Sequence, residues 1–198
     1  IQELLQSGSF RNADYIQFIS SQYGKRREIS KLPFYPDRIV QHALCQVCGP
    51  IWDRQYIRDT FSCIKGRGIH DGVKRVKKVL GGDPEGTRYC LKLDVKKYFA
   101  SIDNDILKST IRRKIKCRQT LKLLDEIIDS HSGVPIGNYT SQHFANLYLS
   151  GLDHYIKEQL KVSYYYRYCD DLIFMASSKE RLRSIFAAVR QYLNERLN

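Results

Sequence analysis

Three carboxylates stand where they could hold divalent metal ions. Asp94 closes the run Arg88-Tyr89-Cys90-Leu91-Lys92-Leu93-Asp94-Val95, in which Tyr89, Leu91, Leu93 and Val95 alternate with other residues as in a half-buried strand. Asp170 and Asp171 follow Cys169 between two strand-like runs, Val162 to Tyr168 and Leu172 to Ala176, which places them at the tip of a β-hairpin. If these strands lie side by side in one antiparallel sheet, the three form one acidic constellation. Adjacent anions repel and resist desolvation, whereas hard cations take carboxylate oxygens and keep positions open for water and phosphates. Two such ions about 3.5–4 Å apart can activate an attacking oxygen and stabilise a leaving one in an in-line phosphoryl transfer. The plainer alternative makes Asp94 a strand-end cap and Asp170-Asp171 a polar turn. An acidic pair framed by Tyr164-Tyr165-Tyr166-Arg167-Tyr168 and Leu172-Ile173-Phe174 is costly in β-structure, and favours a site.

The elements that must position these groups are mixed in type. A helix runs from Asp37 through Leu44, and Val73, Val76 and Leu80 stripe a second helix that ends at Gly81-Gly82. Lys74, Arg75, Lys77 and Lys78 fill the other faces of that helix, as a solvated surface or as a nucleic-acid contact. Ser101 or Asp103 can N-cap a helix bearing Ile106, Leu107, Ile111 and Ile115, with Arg112, Arg113, Lys114 and Lys116 toward its C-terminal part. Beyond the turn-rich 131–138 a single long helix is expected, with Ala145, Leu149, Leu152, Ile156 and Leu160 on one stripe.

Across the 198 residues, 33 Lys and Arg against 21 Asp and Glu give a formal net charge of +12, which favours a polyanionic partner through counterion release. The basic clusters have aromatics between them, which points to nucleic acid before an anionic membrane surface. No run approaches the roughly 18 apolar residues of a spanning helix, and the start has no signal-peptide pattern, so a cytoplasmic protein without a membrane partner is expected. The six cysteines form no framework, which suits a reducing compartment. Cys45-Gln46-Val47-Cys48 has metal-ligand spacing but no second pair nearby, and reads as buried thiols before zinc. With no initiating Met and an end inside a helical pattern, the sequence reads as a fragment.

Tyr168-Cys169-Asp170-Asp171 resembles the YxDD box of reverse transcriptases. Leu93-Asp94-Val95-Lys96-Lys97-Tyr98-Phe99 resembles their preceding acidic motif, an Asp followed five residues later by an aromatic. Asp37-Arg38-Ile39-Val40-Gln41-His42-Ala43-Leu44 is similar to the helix after the fingers hairpin of bacterial retroelement and group II intron enzymes. In Gly133-Val134-Pro135-Ile136-Gly137-Asn138-Tyr139-Thr140-Ser141-Gln142, most bacterial members have Gln-Gly and then Ser-Pro; Ile136-Gly137 and Ser141-Gln142 instead resemble diversity-generating retroelement enzymes, and argue against a group II intron maturase. The same loop is also a turn and helix start, with Gly137 and Asn138 suiting the turn and Thr140 or Ser141 the cap. These ordered motifs run from about Lys25 to Ala176.

The resemblance implies an α+β fold, a right-hand polymerase palm with an antiparallel sheet and helices on one face, plus a helical and loop-rich fingers region, with the thumb absent from this sequence. Residues 1–88 would be mainly fingers and 89–198 mainly palm, with fingers elements around 105–135. It implies an RNA-directed DNA polymerase, copying a retroelement template RNA with errors concentrated at adenines. Its cofactor would be two Mg2+ ions, with Mn2+ a possible substitute. Its partners would be template RNA, a DNA or RNA primer, deoxynucleoside triphosphates and an accessory protein, in a prokaryotic or phage-encoded system. Asp94 and Asp170 would be the principal metal ligands, joined by the Val95 carbonyl, with Asp171 supporting the metals or the primer end. Phe99 would lie under the nucleotide sugar as a steric gate against a 2′-hydroxyl, or else be ordinary core. Ile136, Gly137 and Gln142 would sit near the nascent base pair.

Lys25-Arg26-Arg27 and Arg38 stand where related enzymes grip the triphosphate, a task that guanidinium groups suit by bidentate contact. Lys65 and Arg67, in the basic glycine-rich 65–70, read as template or backbone contacts because P-loop spacing is lacking, and Tyr168 is a further nucleic-acid contact. Two rivals stay open: a retron, group II intron-like or phage-defence reverse transcriptase, and a catalytically silent RNA-binding module of polymerase shape.

Overall fold

In the computed structural model, which describes residues 1–22 and 24–197, the alternating run ending at Asp94 is a strand as expected. Tyr23 and Asn198 lie outside the described residues, as do the side chains of Gln22 and Lys25. The chain divides into two compact units, Ile1–Trp52 with Phe99–Tyr148, and Asp53–Tyr98 with Leu149–Asn198.

The first unit opens with helix α1 (Gln2–Ser7) and an antiparallel hairpin of β1 (Ile16–Gln22) and β2 (Lys25–Lys31). A five-residue π-helical turn, Phe34–Arg38, leads into α2 (Ile39–Asp53), so the regular helix begins two residues later than expected. α4 (Tyr98–Ser101), α5 (Asn104–Arg112), α6 (Arg118–Asp129) and α7 (Ser141–Tyr148) follow in this unit. Asp103, not Ser101, caps α5: its carboxylate accepts from the backbone N–H groups of Asp105 and Ile106, each at 2.9 Å. Leu107, Ile111, Leu124, Ile127, Phe144 and Leu147 are buried between these helices.

The second unit is built on a four-stranded sheet in the order β3 (Thr60–Phe61), β5 (Tyr165–Tyr168), β6 (Asp171–Ala176) and β4 (Tyr89–Asp94). Its β5–β6 and β6–β4 pairs are antiparallel, but β3 runs parallel to β5, so the expected all-antiparallel sheet is mixed at one edge. The segment carrying β3 is only two residues of strand, too short for alternation to mark it in the sequence.

Strand alternation gives this sheet two distinct faces. On one, Phe61, Tyr166 and Met175 form a buried cluster covered by Val76 and Val79 of α3 (Ile69–Gly82). Tyr165, Arg167, Leu172 and Phe174 point to the other face, where Tyr165 and Phe174 stack with ring centroids 4.9 Å apart. Asp153 of α8 (Ser150–His154) bonds both Tyr165 and Arg167 there. Tyr192 of α9 (Lys179–Arg196) stacks on Tyr155 at 4.8 Å.

The single long helix expected after residue 140 is three pieces: α7, α8 and a π-helical turn, Tyr155–Gln159. The break falls at Leu149, beside Ser150-Gly151, the kind of pair at which helices kink. A Cβ on Gly151 would stand 2.9 Å from the Tyr192 hydroxyl, so glycine there admits α9 at close range.

The loop between α6 and α7 has no regular structure but is tied down along its length. The Phe99 carbonyl accepts from Val134 N–H at 2.8 Å, and the Ile136 carbonyl from Ser30 N–H of β2 at 3.0 Å. The Asn138 amide donates to the Tyr15 hydroxyl at 2.8 Å, and Tyr139 N–H to the buried Gln41 side chain at 2.9 Å. Gly137 has φ 138°, and a Cβ on it would stand 2.6 Å from the Ser30 carbonyl oxygen. Gly137→Ala should therefore force β2 and the loop apart and destabilise the fold by roughly 2 kcal/mol, measurable as a lowered urea midpoint with an unchanged slope.

Candidate active site

The hairpin that carries the acidic pair is made by its composition. Tyr, Phe, Ile and Leu on β5 and β6 suit a pleated, buried surface, and Tyr168 pairs directly with Asp171, leaving Cys169 and Asp170 as a two-residue turn. The backbone φ is 55° at Cys169 and is not positive at Asp170, the sign pattern of a type II′ turn. A cysteine holds a position that glycine usually takes. Burial raises the Cys169 thiol to about 12, helped by the charge of Asp170, so it stays neutral.

The β4–β6 register sets Asp94 directly opposite Asp171, on the same face of the sheet. Asp94 is exposed, while Asp170 and Asp171 are half-buried. Like charges directly opposite repel. Asp171 is relieved by Lys92, the diagonal neighbour two residues before Asp94, whose ammonium lies 2.9 Å from its Oδ1. Hydrogen bonding to Asp171 raises the Lys92 pKa, and the charges of Asp94 and Asp170 add to the rise. The backbone of the expected constellation is thus present, but among the described residues no three His, Cys, Asp or Glu side chains are grouped closely enough to hold a metal ion. What the strand register supplies is proximity of oxygen donors of the kind a hard divalent cation takes: Asp94 opposite Asp171, with Asp170 in the adjoining turn.

Behind the turn lies a buried ion pair that motif spacing does not announce. Arg167 and Asp153 are both 0% exposed, and the guanidinium grips the carboxylate through Nε at 2.8 Å to Oδ1 and Nη2 at 2.7 Å to Oδ2. The remaining carboxylate capacity is filled by the Tyr165 hydroxyl at 2.7 Å and the Thr60 hydroxyl at 3.0 Å. Arg167 Nη1 donates to the Cys169 carbonyl at 2.9 Å, and Arg167 N–H to the Asp59 carbonyl at 2.9 Å. Burial acts to lower the Arg167 pKa, but the charge and hydrogen bonds of Asp153 outweigh it and hold the guanidinium charged. Asp59 in turn pairs with Arg75 of α3 at 2.6 Å and with Lys157 at 3.0 Å. The sequence did carry a signal: an arginine inside a strand of tyrosines, and an aspartate at helical spacing from Leu149 and Ile156 on an apolar stripe, are each costly unless paired.

The other residues singled out in the sequence fall in both units. In the second, Val95 is half-buried, Tyr168 is 41% exposed and Lys65 is exposed. Arg67 donates to the backbone carbonyls of Ile57 at 2.9 Å and Asp53 at 3.3 Å, so its guanidinium holds its own loop. In the first unit, Phe99 is half-buried and bonded through its carbonyl to the 133–142 loop, in which Ile136 is exposed and Gly137 fixed against β2. Gln142 is half-buried in the first turn of α7, and Arg27 on β2 and Arg38 before α2 are exposed. Arg27, Phe99, Ile136, Gly137 and Gln142 thus share a unit through the ties of that loop. Cys45 and Cys48 are free buried thiols, with Cys45 raised to about 12 by burial.

Comparison with known proteins adds a family and a fold. Residues 20–197 match the family described as reverse transcriptase (RNA-dependent DNA polymerase). Protein YkfC of Escherichia coli is 27% identical over 155 residues, covering 72% of this chain and 40% of its own length. The group II intron-encoded protein LtrA of Lactococcus lactis is 25% identical over 158 residues, 74% of this chain and 26% of its own. The chain therefore spans less than half of these relatives. Among solved structures, a telomerase from Candida tropicalis in complex with a fragment of telomeric RNA aligns with a TM-score of 0.68 at 14% identity, over 92% of this chain and 39% of that one. A truncated apo telomerase from the same organism aligns over 98% of this chain with a TM-score of 0.63. No described helix is long and apolar enough to cross a membrane.

Asp153→Ala would leave the Arg167 guanidinium buried without its counter-ion. The expected cost is about 3–5 kcal/mol of stability, read as a lower melting temperature, and Asp59→Ala, at a partly solvated pair, should cost clearly less.

Proposed function

We propose, for a chain that belongs to the reverse transcriptase (RNA-dependent DNA polymerase) family, that Asp94, Asp170 and Asp171 are its metal-binding carboxylates and that it extends a primer on an RNA template. The observation that carries this reading is the strand register that sets Asp94 opposite Asp171, with Asp170 in the adjoining two-residue turn. Reverse transcriptase domains generally use divalent ions such as Mg2+; bound here, the ions would lower the pKa of the attacking 3′-hydroxyl and stabilise the departing pyrophosphate. Asp94 and Asp170, with the Val95 carbonyl, would supply the principal oxygens. Asp171, already engaged by Lys92, would take the supporting role.

The other site residues act on the substrates. Arg27 and Arg38, both exposed, would take triphosphate oxygens, a task for which the planar guanidinium is suited. Phe99 would set the floor beneath the sugar and exclude the 2′-hydroxyl of a ribonucleotide. Lys65 and Tyr168 would touch the nucleic acid, by charge and by stacking. Arg67 would serve that contact by shaping the loop. The net charge of +12 supports a nucleic-acid partner of this kind.

Within the family, the Ile136-Gly137 and Ser141-Gln142 pairs support the diversity-generating retroelement type, with error-prone copying and an accessory protein. The 25% identity to LtrA favours, as the second reading, a group II intron-like enzyme. Ile136 is exposed on a loop whose backbone is otherwise pinned, so its side chain can change without disturbing the loop.

Two measurements separate these readings. Asp94→Ala and Asp170→Ala in the full-length protein should abolish primer extension on an RNA template while leaving template affinity within a factor of about two, because that affinity comes mainly from Lys and Arg. Substantial extension by either purified variant would remove the assignment. For fidelity, Ile136→Gln, alone or with Gln142→Pro, should lower misincorporation opposite template adenine more than opposite other bases. About 1.4 kcal/mol of differential transition-state binding is tenfold in error rate, so a small change of pocket shape suffices. Sequencing the products decides it: a wild type that copies adenine as faithfully as other bases, with any required accessory protein supplied, removes the diversity-generating reading and leaves the broader reverse-transcriptase one.

A further inference from the structure

Asp94 and Asp171 and the buried ion pair occupy opposite faces of one sheet, and a hydrogen bond from Arg167 to the Cys169 carbonyl links the ion pair to the turn that carries Asp170. Asp94, Asp171 and Tyr168 share one face by strand parity, while Arg167 projects from the other into the layer of α8. Arg167 Nη1 nevertheless reaches around the end of β5 to the Cys169 carbonyl, the peptide unit whose other half is the Asp170 N–H. That peptide lies in a turn where a non-glycine residue holds φ 55°, a conformation that costs energy unless its surroundings fix it. The guanidinium is itself fixed: 0% exposed, paired bidentately with Asp153, which Thr60 and Tyr165 hold in turn.

We propose that Arg167 is a positioning residue for the catalytic turn, locking the Cys169–Asp170 peptide so that the Asp170 carboxylate is presented in one orientation to the metal ions. The role rests on the reading of Asp94 and Asp170 as metal ligands. Lysine cannot replace arginine here, because one ammonium cannot span both Asp153 oxygens and the Cys169 carbonyl as a planar fork does. Nor does stability require the charge pair as such, since buried ion pairs are often replaceable by apolar residues of similar volume. The two functions of Arg167, filling the core and holding the turn, are therefore separable.

The experiment uses the full-length protein with Arg167→Met combined with Asp153→Leu, which keeps the volume and removes the tie to Cys169. Melting temperature, Mn2+ affinity by electron paramagnetic resonance of the free ion, and kcat and KM for a deoxynucleotide on a primed RNA are measured together. The expected result is a cooperative melt close to wild type, Mn2+ affinity weakened at least tenfold, and kcat reduced at least tenfold with KM nearly unchanged. A folded double variant with wild-type Mn2+ affinity and kcat overturns the positioning role. If that variant does not fold, Arg167→Lys decides by the same readouts, with Mn2+ affinity and kcat at wild-type level counting against the role and a fall in both supporting it. Asp170→Asn is the control: wild-type Mn2+ affinity in that variant overturns the metal reading, and the positioning role with it. A loss in Asp170→Asn beside an unaffected double variant overturns the positioning role alone.

Discussion

The pairing of Arg167 with Asp153 ties together three elements of the second unit, α8, β5 and β3. Neither group could be buried alone, because an isolated charge in a low-dielectric interior carries a cost of several kcal/mol or more. Together they fix the separation of α8 from β5, and the oxygens of Asp153 left over by Arg167 draw in Thr60 of β3 and Tyr165 of β5. The short parallel strand β3 is held in the same way, since its pairing with β5 is reinforced by Arg167 N–H on the Asp59 carbonyl. A two-residue strand has little pairing energy of its own. Its place in the sheet is reinforced by the backbone bond at Asp59 and the Thr60 hydroxyl on Asp153.

That network also explains how a hairpin can end in two acids. In an isolated hairpin, Asp170-Asp171 after a left-handed cysteine would favour other turns, because neither the charge repulsion nor the backbone conformation is offset. Here the strands behind the turn are buried on both faces, by Tyr166 and Met175 against α3 on one side and by Tyr165 and Phe174 on the other. The register is therefore strongly specified, since a slip of one residue would drive Arg167 and Asp171 into the wrong layers. Strain and repulsion at the turn persist because the rest of the sheet over-determines it.

Much of the sheet that carries the candidate site was legible in the sequence, because short-range patterns encode its strands. Alternation to Asp94, and the interruption of an aromatic run by Asp170-Asp171, are local signals with a fixed structural meaning, and the strands and their antiparallel pairing follow them. The mixed edge at β3 was not legible, as two strand residues leave no period to read. Nor was the division of the long apolar stripe into α7, α8 and a π-helical turn: the spacing of Leu149, Leu152 and Ile156 continues across the break, while Ser150-Gly151 and the approach of Tyr192 interrupt the backbone. Packing groups β3 and α3 with the sheet of β4, β5 and β6. Which helices cover a sheet is a long-range property, and periodicity does not carry it.

The residues that sequence reading passed over are those whose worth depends on a distant partner. Asp153 and Arg167 lie fourteen residues apart, and each alone looks like a misplaced charge. Lys92 looks like the solvent-facing member of an alternating strand, yet the register sets its ammonium against Asp171 and within reach of the fields of Asp94 and Asp170. A tethered cation makes the three carboxylates unequal, because Lys92 pairs with Asp171 and reaches Asp94 and Asp170 only through its field. The strand sequence Lys92-Leu93-Asp94 thus contributes an acid and a counter-charge on the same face two residues apart, and the Lys92–Asp171 pair follows from that spacing and the β4–β6 register.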